Sequence, residues 1–252
     1  MVLPEQDWIL YEDETLLAVN KPAGLPALPD GYNPDAPHVK RLLEPQYGHL
    51  WIVHRLDRQT SGLMLLARSP QAHRLLNDQF QSHQVNKTYH ALIAGLPPWD
   101  ERVIDLPLRP DGDRRHRTVV DQSRGKPAST HLRILERFGR FSLVQAIPRT
   151  GRTHQLRAHL SAVGFPILCD SLYGGGQRLV AYRPSSGASG SAATGAGLLE
   201  RMGLHAWSLE FLHPVTHSHM RLEAPYPADF ERTLEILRQT PPAMLELITG
   251  PR

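Results

Sequence analysis

A chain of 252 residues, 40% hydrophobic and 21% charged, is long enough for one large domain or two small ones and has the make-up of an ordinary globular protein. No apolar run approaches the roughly 20 residues that cross a bilayer, and the start MVLPEQDW lacks the basic and apolar regions of a signal peptide, so a cytoplasmic protein without a membrane partner is expected. The lone Cys169 excludes internal disulfides and cysteine-based metal clusters, while a net charge of +3 and a pI near 9.2 allow a polyanionic partner without requiring one.

Residues 8–20 alternate bulky apolar and acidic residues about Asp13-Glu14-Thr15, which predicts a hairpin of two short strands. In Asn20-Lys21-Pro22-Ala23-Gly24-Leu25-Pro26, two prolines and a glycine exclude regular structure. A proline-rich loop over 30–47 leads into a short helix over 37–43. Residues 51–67, WIVHRLDRQTSGLMLLA, then read as a strand, a polar turn and a returning strand. The turn crowds His54, Arg55, Asp57, Arg58, Thr60 and Ser61 into eight positions. By itself this turn fits an Asp57 that does chemistry and equally one that pairs with Arg55 or Arg58 in solvent.

Ser69-Pro70 caps and opens a helix to about residue 83, with Ala72, Leu75, Leu76 and Phe80 on one face. Residues 85–95 alternate as a strand carrying Tyr89, which taken alone is a half-buried core tyrosine. Short strands over 103–108 and 117–121 flank the turn RPDGDRRHR. The cations Arg109, Arg114, Arg115, Arg117, Arg124 and Lys126, followed by Arg149, Arg152 and Arg157, suit phosphate contacts or a solvated loop. A hairpin about Gly139-Arg140 joins strands over 128–138 and 141–147. It feeds Pro148 to Leu160, where a strand ends at Thr150-Gly151 and a helix begins near Thr153. Leu156, Leu160 and Val163 form its apolar stripe beside His154, Arg157 and Ser161.

Residues 174–203 are rich in Gly, Ser and Ala and predict a mobile insertion. Strands over 204–213 and 219–224, a helix over 227–239 and a loose tail over 241–252 complete the chain. His213, His217 and His219 have spacing that admits zinc, but no acidic or cysteine ligand joins them, and no metal is expected.

Several of these stretches carry a family resemblance. HRLDRQTSGLMLLAR resembles the signature HRLDxxTSGLLL of the RluA-type pseudouridine synthases, which isomerise uridine in RNA. NKPAGL, the K-x-Y-x-A of residues 87–91, TGRTHQLRAH, GFPILCDSLYG and LHAWSLEFLHP are similar to further segments of that family, so the likeness runs from about residue 16 to 230. The resemblance implies an α+β fold with a mixed, mostly antiparallel central sheet flanked by helices and a cleft, in one catalytic domain over 1–240. It also implies that Asp57 is catalytic, that Tyr89 stacks on or hydrogen-bonds near the target base, and that Arg157, with Arg152 in reserve, pairs with Asp57. His54, Arg55, Arg58, Thr60, Lys21, Arg152 and His154 are expected to bind substrate. From its position two residues before Asp57, Arg55 is expected to occupy the space left by a flipped nucleotide or to hold that nucleotide, and Asp170 and Tyr173 to shape the cleft wall or cap turns. The implied partner is RNA, a tRNA or large-subunit ribosomal RNA stem-loop. The implied state is a monomer lacking the family's N-terminal RNA-binding domain, with no cofactor. Against this stand a glycosidase, for which Asp170 is the sole candidate second carboxylate, and an RNA-binding module without chemistry.

Overall fold

The computed structural model describes residues 8–29, 33, 35–181 and 196–249. The chain divides into two compact units, Met1–Tyr89 with His205–Tyr226, and His90–Leu204 with Pro227–Arg252. The first contains β1 (Ile9–Glu12), β2 (Leu16–Lys21), α1 (Val39–Tyr47), β3 (Trp51–Ile52), β4 (Ser61–Ala67), α2 (Pro70–Gln81) and the start of β5 (Asn86–Ala94). The second holds β6 (Glu101–Asp105), β7 (Leu108–Arg109), β8 (Val119–Val120), β9 (Ser129–Arg137), β10 (Phe141–Pro148), α3 (Gln155–Ala162), β11 (Arg178–Ala181) and β12 (Ala196–Leu199). The chain returns to the first unit with β13 (Leu204–Leu212) and β14 (His219–Glu223), and closes in the second with α4 (Ala228–Gln239) and β15 (Leu245–Ile248). Among the described residues no helix is long and apolar enough to cross a membrane.

In the first unit the strands run β1-β2-β4-β13, with β14 antiparallel to β13. β4 pairs antiparallel with β2 along its length, parallel with β13 at its start and antiparallel with β3 at its end. The sheet is therefore mixed and mostly antiparallel, as expected. Every residue of β4 is buried, which explains why its sequence is an unbroken apolar run rather than an alternation. Leu63, Leu65 and Ala67 pack with Leu16, Ala18 and the α2 residues Ala72 and Leu76. Met64 and Leu66 pack with Leu17, Val19 and the α1 residues Val39 and Leu43.

Both helices begin where the residues allow. The Ser69 hydroxyl accepts from the Ala72 amide at 3.1 Å ahead of Pro70. The helix expected over 37–43 runs on through Pro45, which lets Tyr47 join the cluster around Leu43. Gln79 is buried on the core side of α2, and its side-chain amide donates to the Leu212 carbonyl and accepts from the Leu212 amide, both at 2.8 Å.

In the second unit the later half of β5, β10, β9 and β6 lie side by side, and β9–β10 is the hairpin expected about Gly139-Arg140. Two segments of this unit are more ordered than their composition predicts. The ends of the 174–203 segment are not structureless: β11 and β12 pair antiparallel, and Leu179, Val180, Leu198 and Leu199 are buried. The intervening 182–195, the richest in Gly, Ser and Ala, lie outside the described residues. The tail is not loose either, because β15 adds to β11 and Leu245 is buried. In both cases a few apolar residues found a strand edge that composition does not reveal.

At the start of β4, Gly62 has φ +113°, and a Cβ there would stand 2.2 Å from the Ala206 carbonyl oxygen of β13. Only a residue without a side chain permits this approach. Gly62→Ala should destabilise the protein by more than about 3 kcal/mol, measured by urea unfolding, because backbone opposes the new methyl.

Candidate active site

The turn between β3 and β4 is anchored at both ends. Leu56 is buried in the cluster on the α1 side of the sheet. Asp57 opens the turn, its carbonyl accepting from the Thr60 amide at 3.0 Å, and Thr60 is buried. The next residue, Ser61, contacts His205 Nδ1 at 3.0 Å, while His205 Nε2 lies 3.0 Å from the Ala224 carbonyl. A carbonyl only accepts, so Nε2 carries the proton and Ser61 donates to Nδ1.

Beneath the turn lies the 20–26 loop. Lys21 is fully buried, and its ammonium donates to the carbonyls of Leu25 at 2.8 Å, Pro22 at 2.9 Å and Arg58 at 3.3 Å. The Gly24 amide donates to the Arg58 carbonyl at 2.8 Å, and Arg58 Nε returns a bond to the Gly24 carbonyl at 2.9 Å. A buried ammonium costs several kcal/mol unless such acceptors surround it. Lys21, expected to bind substrate, is thus a clamp between loop and turn. Arg55 and Arg58 are exposed and Asp57 is half-buried, so this edge of the clamped turn presents one carboxylate and two cations.

Strand β5 brings Tyr89 beside this turn. Burial, and secondarily the nearby Asp57 carboxylate, raise the Tyr89 pKa above its ordinary value. Tyr89 is therefore a neutral phenol. His54 accepts from the Leu65 amide through Nε2 at 2.9 Å and stacks on Phe80 with ring centroids 4.6 Å apart. Its proton then resides on Nδ1, and burial first, with Lys87 second, lowers its pKa to about 3. His54 joins the turn to β4 as a neutral ring, whereas the expectation was a substrate contact.

The second unit holds the other predicted residues. Arg157 on α3 forks the Asp170 carboxylate, Nε to Oδ2 at 2.7 Å and Nη2 to Oδ1 at 3.0 Å, and its guanidinium lies 4.8 Å from the centre of the Tyr173 ring. The Tyr173 hydroxyl meets His154 Nδ1 at 3.1 Å and the Thr118 amide at 2.9 Å. His154 itself has φ 51° at the start of α3. Arg152 Nε donates to the Pro127 carbonyl at 3.1 Å. Asp170 and Tyr173 are therefore the mount for Arg157. The arginine-rich turn is less cationic than its composition implies, because Arg109 pairs with Asp121 at 2.6 Å and Arg117 with Asp113 at 2.7 Å. Arg114, Arg115, Arg124 and Lys126 are its exposed cations. His213, considered above as a zinc ligand, lies 2.8 Å from the Asp13 carboxylate.

A sequence model of the RNA pseudouridylate synthase family matches residues 15–162, more than half the chain and the whole of the Asp57 turn. The chain belongs to this family. Ribosomal large subunit pseudouridine synthase C of Vibrio cholerae is 39% identical over 234 residues, covering 92% of this chain and 69% of that protein. Ribosomal large subunit pseudouridine synthase D of Xylella fastidiosa is 40% identical over 239 residues, with the same coverage. Among solved structures, human RNA pseudouridylate synthase domain containing 4 superposes with a TM-score of 0.69 at 27% identity, over 96% of this chain and 94% of that one. The HRLD and TSG letters with these relatives place the chain in the RluA-type group, so this pseudouridine synthase is an isomerase that acts on RNA.

Sequence reasoning passed over His205 and Ala206 as partners of Ser61 and Gly62. The letters LHA were visible, but their pairing with TSG arises only when β13 lies parallel to β4.

The neutral state of His54 has a measurable consequence. Its folded pKa is depressed, so below about pH 6.5 the unfolded chain binds a proton that the fold refuses until near pH 3. Its share of stability is complete above pH 6.5 and is lost as the pH falls. In His54→Gln, the stability difference between pH 7.5 and pH 5 should shrink by up to about 2 kcal/mol in urea titrations. An unchanged difference would refute the assignment.

Proposed function

We propose that this chain converts uridine to pseudouridine in large-subunit ribosomal RNA, with the Asp57 carboxylate acting on a nucleotide swung out of its stack. The reading is carried by the Asp57 turn, a half-buried carboxylate on backbone locked by a buried ammonium, next to a neutral phenol. The names of the relatives from Vibrio cholerae and Xylella fastidiosa support a ribosomal substrate.

In the reaction the bond from C1′ to N1 breaks, the base turns and C5 joins C1′. The C5 proton departs and N1 takes one up, so mass and oxidation state are unchanged. Three routes meet these terms: attack on C1′, attack on C6, and removal of a sugar proton to form a glycal. Each needs an ionised carboxylate held against the target nucleoside, at the sugar for the first and third routes and at the C6 edge of the base for the second. Because Tyr89 is a neutral phenol, its role is to stack on or donate to the base, and Asp57 is favoured over it as acceptor of the C5 proton.

Arg157 joins the catalytic set on its motif, and its rigid fork to Asp170 supports a positioning role. Arg152 is the reserve for that role and otherwise a phosphate contact. Arg55, exposed and two residues before Asp57, fills the gap left by the extruded base. Arg58 and His154 complete the substrate-binding set, and the buried Thr60 serves it by closing the turn, within a cytoplasmic monomer.

Asp57→Asn should keep RNA affinity and lose turnover by about 10²–10⁴-fold or more, followed as pseudouridine formed in a large-subunit rRNA fragment. Normal turnover by this variant would overturn the proposal. Mapping pseudouridines in cells with and without the gene should show loss at large-subunit sites, whereas loss confined to tRNA would refute the substrate. Arg55→Ala should slow turnover on structured RNA without changing the unfolding midpoint; an unaltered rate would remove Arg55 from the site.

A further inference from the structure

The chain's lysines are Lys21, Lys40, Lys87 and Lys126. Lys21 is held by three carbonyls, Lys40 pairs with Glu44 at 3.4 Å and Lys126 is exposed. Lys87 differs from all of these. It lies near the start of β5, two residues before Tyr89, and is partly buried. Among the described residues its ammonium has no hydrogen-bond or ion-pair partner. Burial pulls its pKa below the ordinary lysine value, the direction expected of a cation losing water without gaining an anion.

Its position is specific. Lys87 acts electrostatically on His54, the ring that leads into the Asp57 turn, just as Asp57 acts on Tyr89. The first residues of β5 run alongside residues 53–57, because Val85 packs in the cluster that holds Val53 and Phe80, and Tyr89 against the one that holds Leu56. His54 is neutral there, through its bond to the Leu65 amide and its stacking on Phe80. The chain thus keeps a cation beside its candidate catalytic turn and offers it no counter-charge. Retaining a desolvated, unpaired ammonium lowers stability unless a ligand supplies the anion. In a protein that acts on RNA, the anion at hand is a backbone phosphate, and a nucleotide whose sugar lies at Asp57 carries its own phosphates to within a side chain's reach.

We propose that Lys87 binds a phosphate of the RNA backbone at or next to the target nucleotide, setting that nucleotide's register against Asp57 and Tyr89. This rests on Asp57 being the catalytic group. A lysine suits the task as a compact point charge that follows a phosphate through small shifts of the backbone. The contact is with substrate and not with the reacting atoms, so its loss should appear in binding.

The experiment measures KM and kcat on a large-subunit rRNA fragment over a range of salt for the parent, Lys87→Met, Lys87→Arg and Asp57→Asn, with Kd replacing KM where turnover is lost. Lys87→Met should raise KM roughly tenfold at low salt and leave kcat within about twofold. It should also flatten the dependence of log affinity on log salt by about 0.7–0.9, the share of one phosphate contact. Lys87→Arg should restore the slope. Because the parent ammonium is unpaired, Lys87→Met should melt no lower than the parent. A parental slope in Lys87→Met would overturn the proposal, and so would a fall in kcat alone, which would assign Lys87 to the chemistry. Asp57→Asn should keep the parental slope. If it also kept full turnover, the catalytic reading would fail, while the phosphate contact would still be judged by the Lys87 slope.

Discussion

A single buried ammonium holds together the candidate active site of this protein. Lys21 lies at the end of β2, wholly shielded from solvent, and its three protons are directed at carbonyls of the 20–26 loop and of the Asp57 turn. Desolvating an amine costs several kcal/mol, and the cost is offset only while those carbonyls keep their places. Loop and turn are therefore stable only in register with each other, and the Gly24 and Arg58 backbone bonds share that register. Asp57 inherits its position from this arrangement. A carboxylate on a free surface loop samples many orientations, whereas one whose neighbours on both sides are tied to core or backbone samples few, and catalysis rewards that restriction.

The letters around Asp57 divide into those that build and those that face outward. Leu56 enters the core, Thr60 closes the turn, Ser61 is tied to His205, and Gly62 lets β4 and β13 approach. Even His54, a residue type that often titrates near neutral pH, serves as a neutral acceptor for the Leu65 amide. Arg55 and Arg58 expose their charges, Asp57 is half-exposed, and Tyr89 contributes a phenol that burial keeps protonated. The motif is long because most of it is scaffold for a short outward-facing edge.

A comparable division holds in the second unit. Arg157 is oriented by Asp170 and by Tyr173, whose hydroxyl is in turn bound by His154 and Thr118, so a planar cation is mounted on a network that leaves it little rotational freedom. Much of the arginine-rich turn neutralises itself through Asp113 and Asp121. Counting cations overstates the grip on a polyanion when acidic residues of the same turn return to pair with them, and Arg114, Arg115, Arg124 and Lys126 carry what charge is displayed.

Local sequence determined the strands and helices whose signals are short-range: the Ser69-Pro70 start of α2, the hairpin at Gly139-Arg140, the buried run of β4, and the family to which HRLDRQTSG belongs. Each depends on neighbours within a few residues, where periodicity, capping and turn chemistry act. Tertiary structure alone decided that Lys21 clamps the Asp57 turn, that Ser61 and Gly62 meet His205 and Ala206, that Arg157 rests on Asp170, and that apolar residues near 180, 198 and 245 form a small sheet. Those contacts join residues far apart in the chain. Their energy comes from desolvation and shape at the meeting point, quantities with no value until both segments have been brought there.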